Sequence, residues 1–157
     1  MSKICCFTGH RNIEALTPQE IGEALEKVLV DLIENEGFTD FRAGGAKGFD
    51  TIAAMAVLEL KKRYPHIKLH LVLPHKNQDA YFLPFEKKLY RYTLSAADSV
   101  TYIQEHYSRE SLFVRNRALV DGADLCIAYL EKLTGGTYYT VNYARKNKVK
   151  TMNLMKI

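Results

Sequence analysis

Residues 39–50, TDFRAGGAKGFD, run from a short strand through a glycine-rich turn straight into a helix. Residues 39–43 read as the strand and GGAKG (44–48) as the turn. The helix behind it extends to about Tyr64, where Pro65 ends it. The same alternation repeats in both directions. Upstream, KICCFT (3–8) reads as a buried strand. Thr17-Pro18-Gln19-Glu20 is a capping box with proline at the first helical position. Behind it Ile21, Leu25, Val28, Leu29, Leu32 and Ile33 recur at helical spacing, and Gly37 stops the helix. Downstream come a strand over 67–73, a polar stretch ending in Pro84, a helix over about Phe85–Ser95 and a strand over 99–103. A helix over about 110–121, a strand over 124–130, a last helix opened by Gly135-Gly136-Thr137 and a strand over 149–154 complete the pattern. Strands alternating with helices of this length predict an α/β protein. The expected form is a Rossmann-like three-layer α/β/α sandwich with a mostly parallel sheet of about six strands. No linker, repeat or low-complexity segment divides the chain, so residues 1–157 are expected to form one domain.

Composition narrows the class. Of 157 residues, 47% are hydrophobic and 25% charged, which is ordinary for a folded protein and excludes disorder. The longest apolar runs are too short for a membrane helix, and MSKICCFTGH lacks a secretory signal, so a cytoplasmic protein is expected. Three cysteines, two of them adjacent, show no zinc spacing and read as buried thiols; no metal and no cofactor are expected. A net charge of +4 accommodates an anionic ligand without requiring nucleic acid.

In a parallel sheet, ligands bind outside the carboxyl ends of the strands where the strand order reverses. The loops to inspect are therefore 8–12, 44–50, 74–78, 104–117 and 131–137. In the second of these, Gly44, Gly45 and Gly48 let backbone approach an anion, Lys47 adds charge, and the helix start offers free amides. The spacing is neither GxGxxG nor a P-loop, and a tight packing turn is the plain alternative. Asp50, in the first helical turn, either complements the helix dipole or accepts a hydrogen bond from a ribose hydroxyl or a water. In the first loop Thr8 and Gly9 offer a hydroxyl and an amide, and His10 and Arg11 suit a phosphate or carboxylate. Arg115 and Arg117 cannot share a helix face, so one arginine, with Asn116 beside it, is expected to face the cleft. Gly135, Gly136 and Thr137 form a second glycine-rich start to a helix; with 44–48 it suggests two walls of a phosphate or ribose site. Tyr129, Tyr138 and Tyr139 lie close enough in sequence to stack on a base, although tyrosines equally serve as packing. His75 follows the third strand and is a candidate lining residue, with Gln78 further along that loop; His66, His70 and His106 have no such argument.

Taken together, FTGHR, GGAKGFD, RNRALVDGADLCIAYL and GGTYYTVNYA resemble the YpsA-like proteins of the SLOG superfamily, named for Smf/DprA and LOG proteins. The likeness covers nearly the whole chain in order. It implies a Rossmann-like fold and a small-molecule ligand related to a nucleotide, ADP-ribose or NAD. It maps the site onto Gly9, His10, Arg11, Gly44, Gly45, Asp50, Arg115, Asn116, Gly135, Gly136 and Thr137. It also implies a link to bacterial cell division or stress, and a homodimer. Other branches of the superfamily include phosphoribohydrolases that cleave a base from a nucleoside monophosphate, and DprA proteins that bind single-stranded DNA. One departure counts against hydrolysis. The hydrolases carry a glutamate in GGxGTxxE, whereas this chain has GGTYYTVNYA, with Thr140 and Asn142 near the place a carboxylate is needed. Asp50 and Glu86 are the substitutes, Glu86 without any placement in the cleft. The non-catalytic binder is therefore the leading expectation, the hydrolase the alternative. Nucleic-acid binding through Lys61-Lys62-Arg63, Lys87-Lys88 and Lys146/Lys148/Lys150 comes last.

Overall fold

Thr17 begins the first helix as the capping box requires. Its Oγ1 accepts from the Glu20 amide at 3.1 Å, and the Glu20 carboxylate accepts from the Thr17 amide at 3.0 Å. In the computed structural model, which describes residues 2–156, that helix is α1 (Pro18–Asn35), and it buries Ile21, Leu25, Leu29, Leu32 and Ile33 along one stripe. It follows β1 (Lys3–Gly9) and is followed in turn by β2 (Phe38–Ala43), α2 (Phe49–Lys61), β3 (Lys68–Leu73) and α3 (Pro84–Ala96). Then come β4 (Ser99–Tyr102), α4 (Arg109–Val120), β5 (Leu125–Tyr129), α5 (Gly135–Lys146), β6 (Lys150–Asn153) and a short 3-10 turn. Helix α2 ends three residues before the expected Tyr64. The chain continues as a turn in which the Arg63 and Tyr64 amides both donate to the Leu60 carbonyl, because Pro65 bars Tyr64 from helical geometry.

The six strands pair in the order β4-β3-β2-β1-β5-β6, and all five pairings are parallel, where a mostly parallel sheet was expected. From β1 the chain steps outward through β2 and β3 to β4, then returns across the sheet to β5 beside β1. Right-handed crossovers therefore lay α1, α2 and α3 on one face and α4 and α5 on the other. The packing agrees, with α2 against both α1 and α3, and α4 against α5. This is a Rossmann-like three-layer α/β/α sandwich. Its strand order reverses between β1 and β5, and that crevice is where a ligand is expected.

The adjacent cysteines divide between the layers as a strand's alternation dictates. Cys5 joins the core under α1–α3, whereas Cys6 packs with Cys126, Leu119, Val120 and Ala144 under α4 and α5. All three thiols are free and buried. Near the carboxyl ends of the central strands the core is aromatic. Phe7 stacks on Phe41 (centroids 6.2 Å apart) and Phe49 on Tyr129 (5.8 Å). Tyr129 is thus a core residue and unavailable to stack on a base. A fully buried ring there holds the first turn of α2 against β5.

Candidate functional site

A cleft of about 470 Å³ opens at the carboxyl rim of the sheet, over the β1/β5 crevice. Strand β1 delivers Thr8 and Gly9 to it, and the loop behind supplies His10, Arg11 and Asn12. The β2–α2 turn contributes Ala46 and Asp50. Helix α4 presents Arg109, Leu112, Phe113, Arg115, Asn116 and Leu119, and the opposite lip is Lys132, Thr134, Gly136 and Thr137. Arg11, Arg109, Arg115 and Lys132 face a single carboxylate, Asp50, so the lining is net cationic.

The pair Arg115-Asn116 spans the two glycine turns. Arg115 is 5% exposed; its Nη1 donates to the Gly44 carbonyl and, at 3.3 Å, to Gln78 Oε1, and its Nε donates to Asn116 Oδ1 at 2.9 Å. Asn116 Nδ2 lies 3.7 Å from where a side chain on Gly136 would begin. The turns at 44–48 and 135–137 therefore share one rim, and the room between them is open. Arg117 points elsewhere, donating to the Tyr139 hydroxyl at 2.9 Å across the α4–α5 seam. This is the division expected for helical neighbours two apart. Tyr139 backs Phe113 edge-on at 4.9 Å, so it supports the cleft wall without lining it, and Tyr138 does not reach the lining either.

Asp50 is 5% exposed and accepts from the Ala46 amide at 3.2 Å. Burial pushes its carboxyl up to about 6, against the opposing pull of Arg115, the Ala46 hydrogen bond and Arg11. Both Asp50 Oδ2 and Arg115 Nη1 crowd the space a Gly44 side chain would need (3.0 and 2.8 Å). Gly44 is thus the seat of the Arg115 guanidinium and lies beneath the cleft lining.

The remaining glycines divide by the company they keep. Gly45 (φ +74°) faces inward: a methyl group there would lie 2.3 Å from Leu73 Cδ2 and 2.9 Å from Gln78 Nε2. Gly48 (φ +80°) meets the carbonyls of Arg11 and His10, so the first loop can lie on α2 while the Phe49 amide donates to the His10 carbonyl. These are the close approaches of a packing turn, and the 44–48 amides do not form an open cradle. Lys47 is half-buried and outside the lining. Gly135 takes φ +86° to start α5 and lines nothing itself. His75 also stays out of the cleft. It is buried, with its ring edge-on to Tyr107 at 5.4 Å, and burial, with Arg115 nearby, lowers its basicity. Gly45→Ala is expected to cost about 2–4 kcal/mol in urea unfolding, through the left-handed backbone and overpacking against Leu73 together. A cost below about 1 kcal/mol would show that this turn relaxes freely.

The open amides lie across the cleft. Helix α5 begins at Thr134, which makes no side-chain cap, and its first turn carries no acidic residue. By contrast α1 has its capping box, α4 is capped by Ser108, and α2 carries Asp50 in its first turn. Residues not singled out in the sequence complete the cleft: Asn12, Ala46, Arg109, Leu112, Phe113, Leu119, Lys132 and Thr134. For Arg109, Leu112 and Phe113 a signal existed beside Asn116. Arg109, Leu112, Phe113 and Asn116 recur at i, i+3, i+4 and i+7, the spacing of one helix face.

A family model described as the YspA SLOG family matches residues 5–157. The chain belongs to the YspA SLOG family. This SLOG chain is 30% identical over 142 residues to the SPbeta prophage-derived protein YoqJ of Bacillus subtilis, covering 83% of each. It is 32% identical over 131 residues to a UPF0398 protein of Halalkalibacterium halodurans, covering 82% of this chain and 69% of that one. Among solved structures it is similar to DprA from Streptococcus pneumoniae, with a TM-score of 0.71, 22% identity and 96% of this chain covered. The DprA of Helicobacter pylori, described for its single-stranded DNA binding mode, gives a TM-score of 0.68 and 18% identity over 95% of this chain. These likenesses are of fold; the SLOG chain spans 49% and 63% of the two DprA chains. No helix among the described residues is long and apolar enough to cross a membrane.

Proposed function

We propose that the chain binds a phosphate-bearing, nucleotide-derived ligand in the β1/β5 cleft. The observation that carries this reading is the pairing of an uncapped helix start at Thr134–Thr137 with four cations around one buried carboxylate. In this reading phosphate rests on the first-turn amides of α5 between Arg109 and Lys132. Asp50 and Thr8 take the sugar hydroxyls, and Leu112 and Phe113 cover the base. A panel of nucleoside mono- and diphosphates, cyclic nucleotides, ADP-ribose and NAD tests it. At a hundredfold excess over Kd the cognate ligand adds about 2.7 kcal/mol, which raises the melting temperature by roughly 5–10 °C for a chain of this size. Arg109→Ala and Lys132→Ala are each expected to weaken it about tenfold. A panel in which nothing moves the melt overturns the reading.

The position of Asp50 favours one second reading, N-glycoside hydrolysis. A buried carboxyl poised near 6 in a cleft suits proton transfer to a leaving base or from water. Chromatography of an incubated nucleoside monophosphate then shows free base that Asp50→Asn abolishes. The nucleic-acid reading draws on the DprA likeness. Against it, Lys61, Lys62 and Arg63 are paired with Asp98, Glu59 and Glu26. Binding of a labelled single strand that weakens steeply with salt would revive it.

A further inference from the structure

The two lips of the cleft are fastened to each other in both directions. From the β1–α1 loop, His10 Nε2 accepts from the backbone amides of Glu131 and Lys132, at 2.9 and 3.1 Å. From the β5–α5 loop, the Glu131 carboxylate accepts from the backbone amides of Glu14 and Ala15 at 3.1 and 2.9 Å, and from the Tyr129 hydroxyl. Each loop thus uses a side chain to hold the other loop's backbone. The His10 carbonyl also accepts from the Phe49 amide, so the same residue is pinned to the helix that carries Asp50. A ring nitrogen that accepts two N–H groups must be unprotonated, so the proton of a neutral His10 sits on Nδ1. A proton on Nε2 would face two N–H donors with a third.

We propose that His10 is a positioning residue that holds the β5–α5 loop in its ligand-ready form only while its Nε2 is unprotonated. The inference rests on the ligand reading above, because that loop carries Lys132, Thr134 and the start of α5. The charged groups facing His10 are Glu131 and Lys132 from the β5–α5 loop and Glu14 from its own loop. Burial lowers His10, with Lys132 acting the same way and Glu131 and Glu14 opposing, so the neutral ring prevails near neutral pH. The other half of the fastening is indifferent to mild acid. Burial raises the Glu131 carboxyl, but the hydrogen bonds from Tyr129, Ala15 and Glu14 outweigh it and leave the group below its ordinary range. Acidification therefore releases the His10 half and spares the Glu131 half. The β5–α5 loop is then held to the β1–α1 loop by the Glu131 carboxylate and the exposed Lys132–Glu14 pair alone.

The test uses the full chain, with adenosine monophosphate and inorganic phosphate as probes. Nitrogen NMR of His10 is expected to show the Nδ1–H tautomer at neutral pH. Protection of the Glu131 and Lys132 amides from hydrogen exchange is expected to fall at least about tenfold between about pH 7.5 and about pH 5.5. His10→Ala loses that protection at both pH values. His10→Gln keeps an acceptor oxygen without a titrating group, so it retains protection and loses the pH dependence. Over the same interval the affinity of the parent for either probe falls about tenfold relative to His10→Gln. The comparison at each pH cancels the titration of phosphate and of Asp50. An Nε2–H tautomer, or protection unchanged in both His10→Ala and acid, overturns the positioning role. Protection that behaves as described in a chain binding neither probe at any pH leaves the fastening standing and counts against the ligand reading instead.

Discussion

Arg115→Ala is expected to lower the unfolding free energy by about 3–5 kcal/mol near pH 8, read as a fall of roughly 10 °C in melting temperature. The guanidinium is buried with its donors placed on the Gly44 carbonyl, Gln78 and Asn116, and its positive charge is the main counterweight to the desolvation of Asp50. Truncation leaves a buried carbonyl without its donor and a buried carboxyl without its countercharge. The loss should shrink in acid, because a protonated Asp50 no longer needs a cation beside it. Arg115→Lys keeps the charge but loses the planar fork that serves three acceptors, so it should fall between the parent and the alanine variant. Equal losses at about pH 5 and about pH 8 would show that Asp50 is not part of the effect. A melting temperature within about 2 °C of the parent would show that Gly44 and Gln78 are satisfied without Arg115.

Asp50→Asn is expected to act in the opposite direction and to stabilise the fold at alkaline pH. The native carboxyl titrates at about 6, against an ordinary value of 3.8, so the folded chain holds its proton more tightly than the unfolded chain does. The contribution of this group to stability is complete below the ordinary carboxylate value and is lost as pH rises through about 6. Between those limits the parent forfeits about 3 kcal/mol. Asparagine keeps an acceptor for the Ala46 amide and has no charge to desolvate. Urea unfolding should find the variant about 1–3 kcal/mol more stable than the parent near pH 8 and similar to it only near about pH 3.5. Parallel pH profiles for parent and variant would remove Asp50 as the source. A stabilised variant that no longer shifts with nucleotide is what a carboxylate kept at the expense of stability predicts.

Much of this architecture is legible in single residues. The Thr17–Glu20 box, the apolar stripe behind it, Pro65 and Gly37 mark helix ends by local chemistry, and the observed elements fall within a few residues of those signals. The candidate site was legible by loop. Thr8, Gly9, His10, Arg11, Asp50, Arg115, Asn116, Gly136 and Thr137 all line the cleft. The glycine turn at 44–48 shows where such reasoning stops. The same three glycines suit an anion cradle and a packing turn, and what separates the two is the neighbour each would strike: Arg115, Leu73 or the His10–Arg11 backbone. Those neighbours come from other elements, up to 71 residues away in the case of Arg115 and Gly44.

By itself the sequence determined the elements, their alternation and the rim where chemistry gathers, because helix and strand periods, caps and breakers act over a few residues. Only the tertiary structure decided that β5 returns beside β1, that the His10 and Glu131 loops become one fastened lip, and that Arg115 faces the cleft while Arg117 does not. Strand order is set by which faces bury one another across the whole chain, and no local period encodes a contact between residue 10 and residue 131.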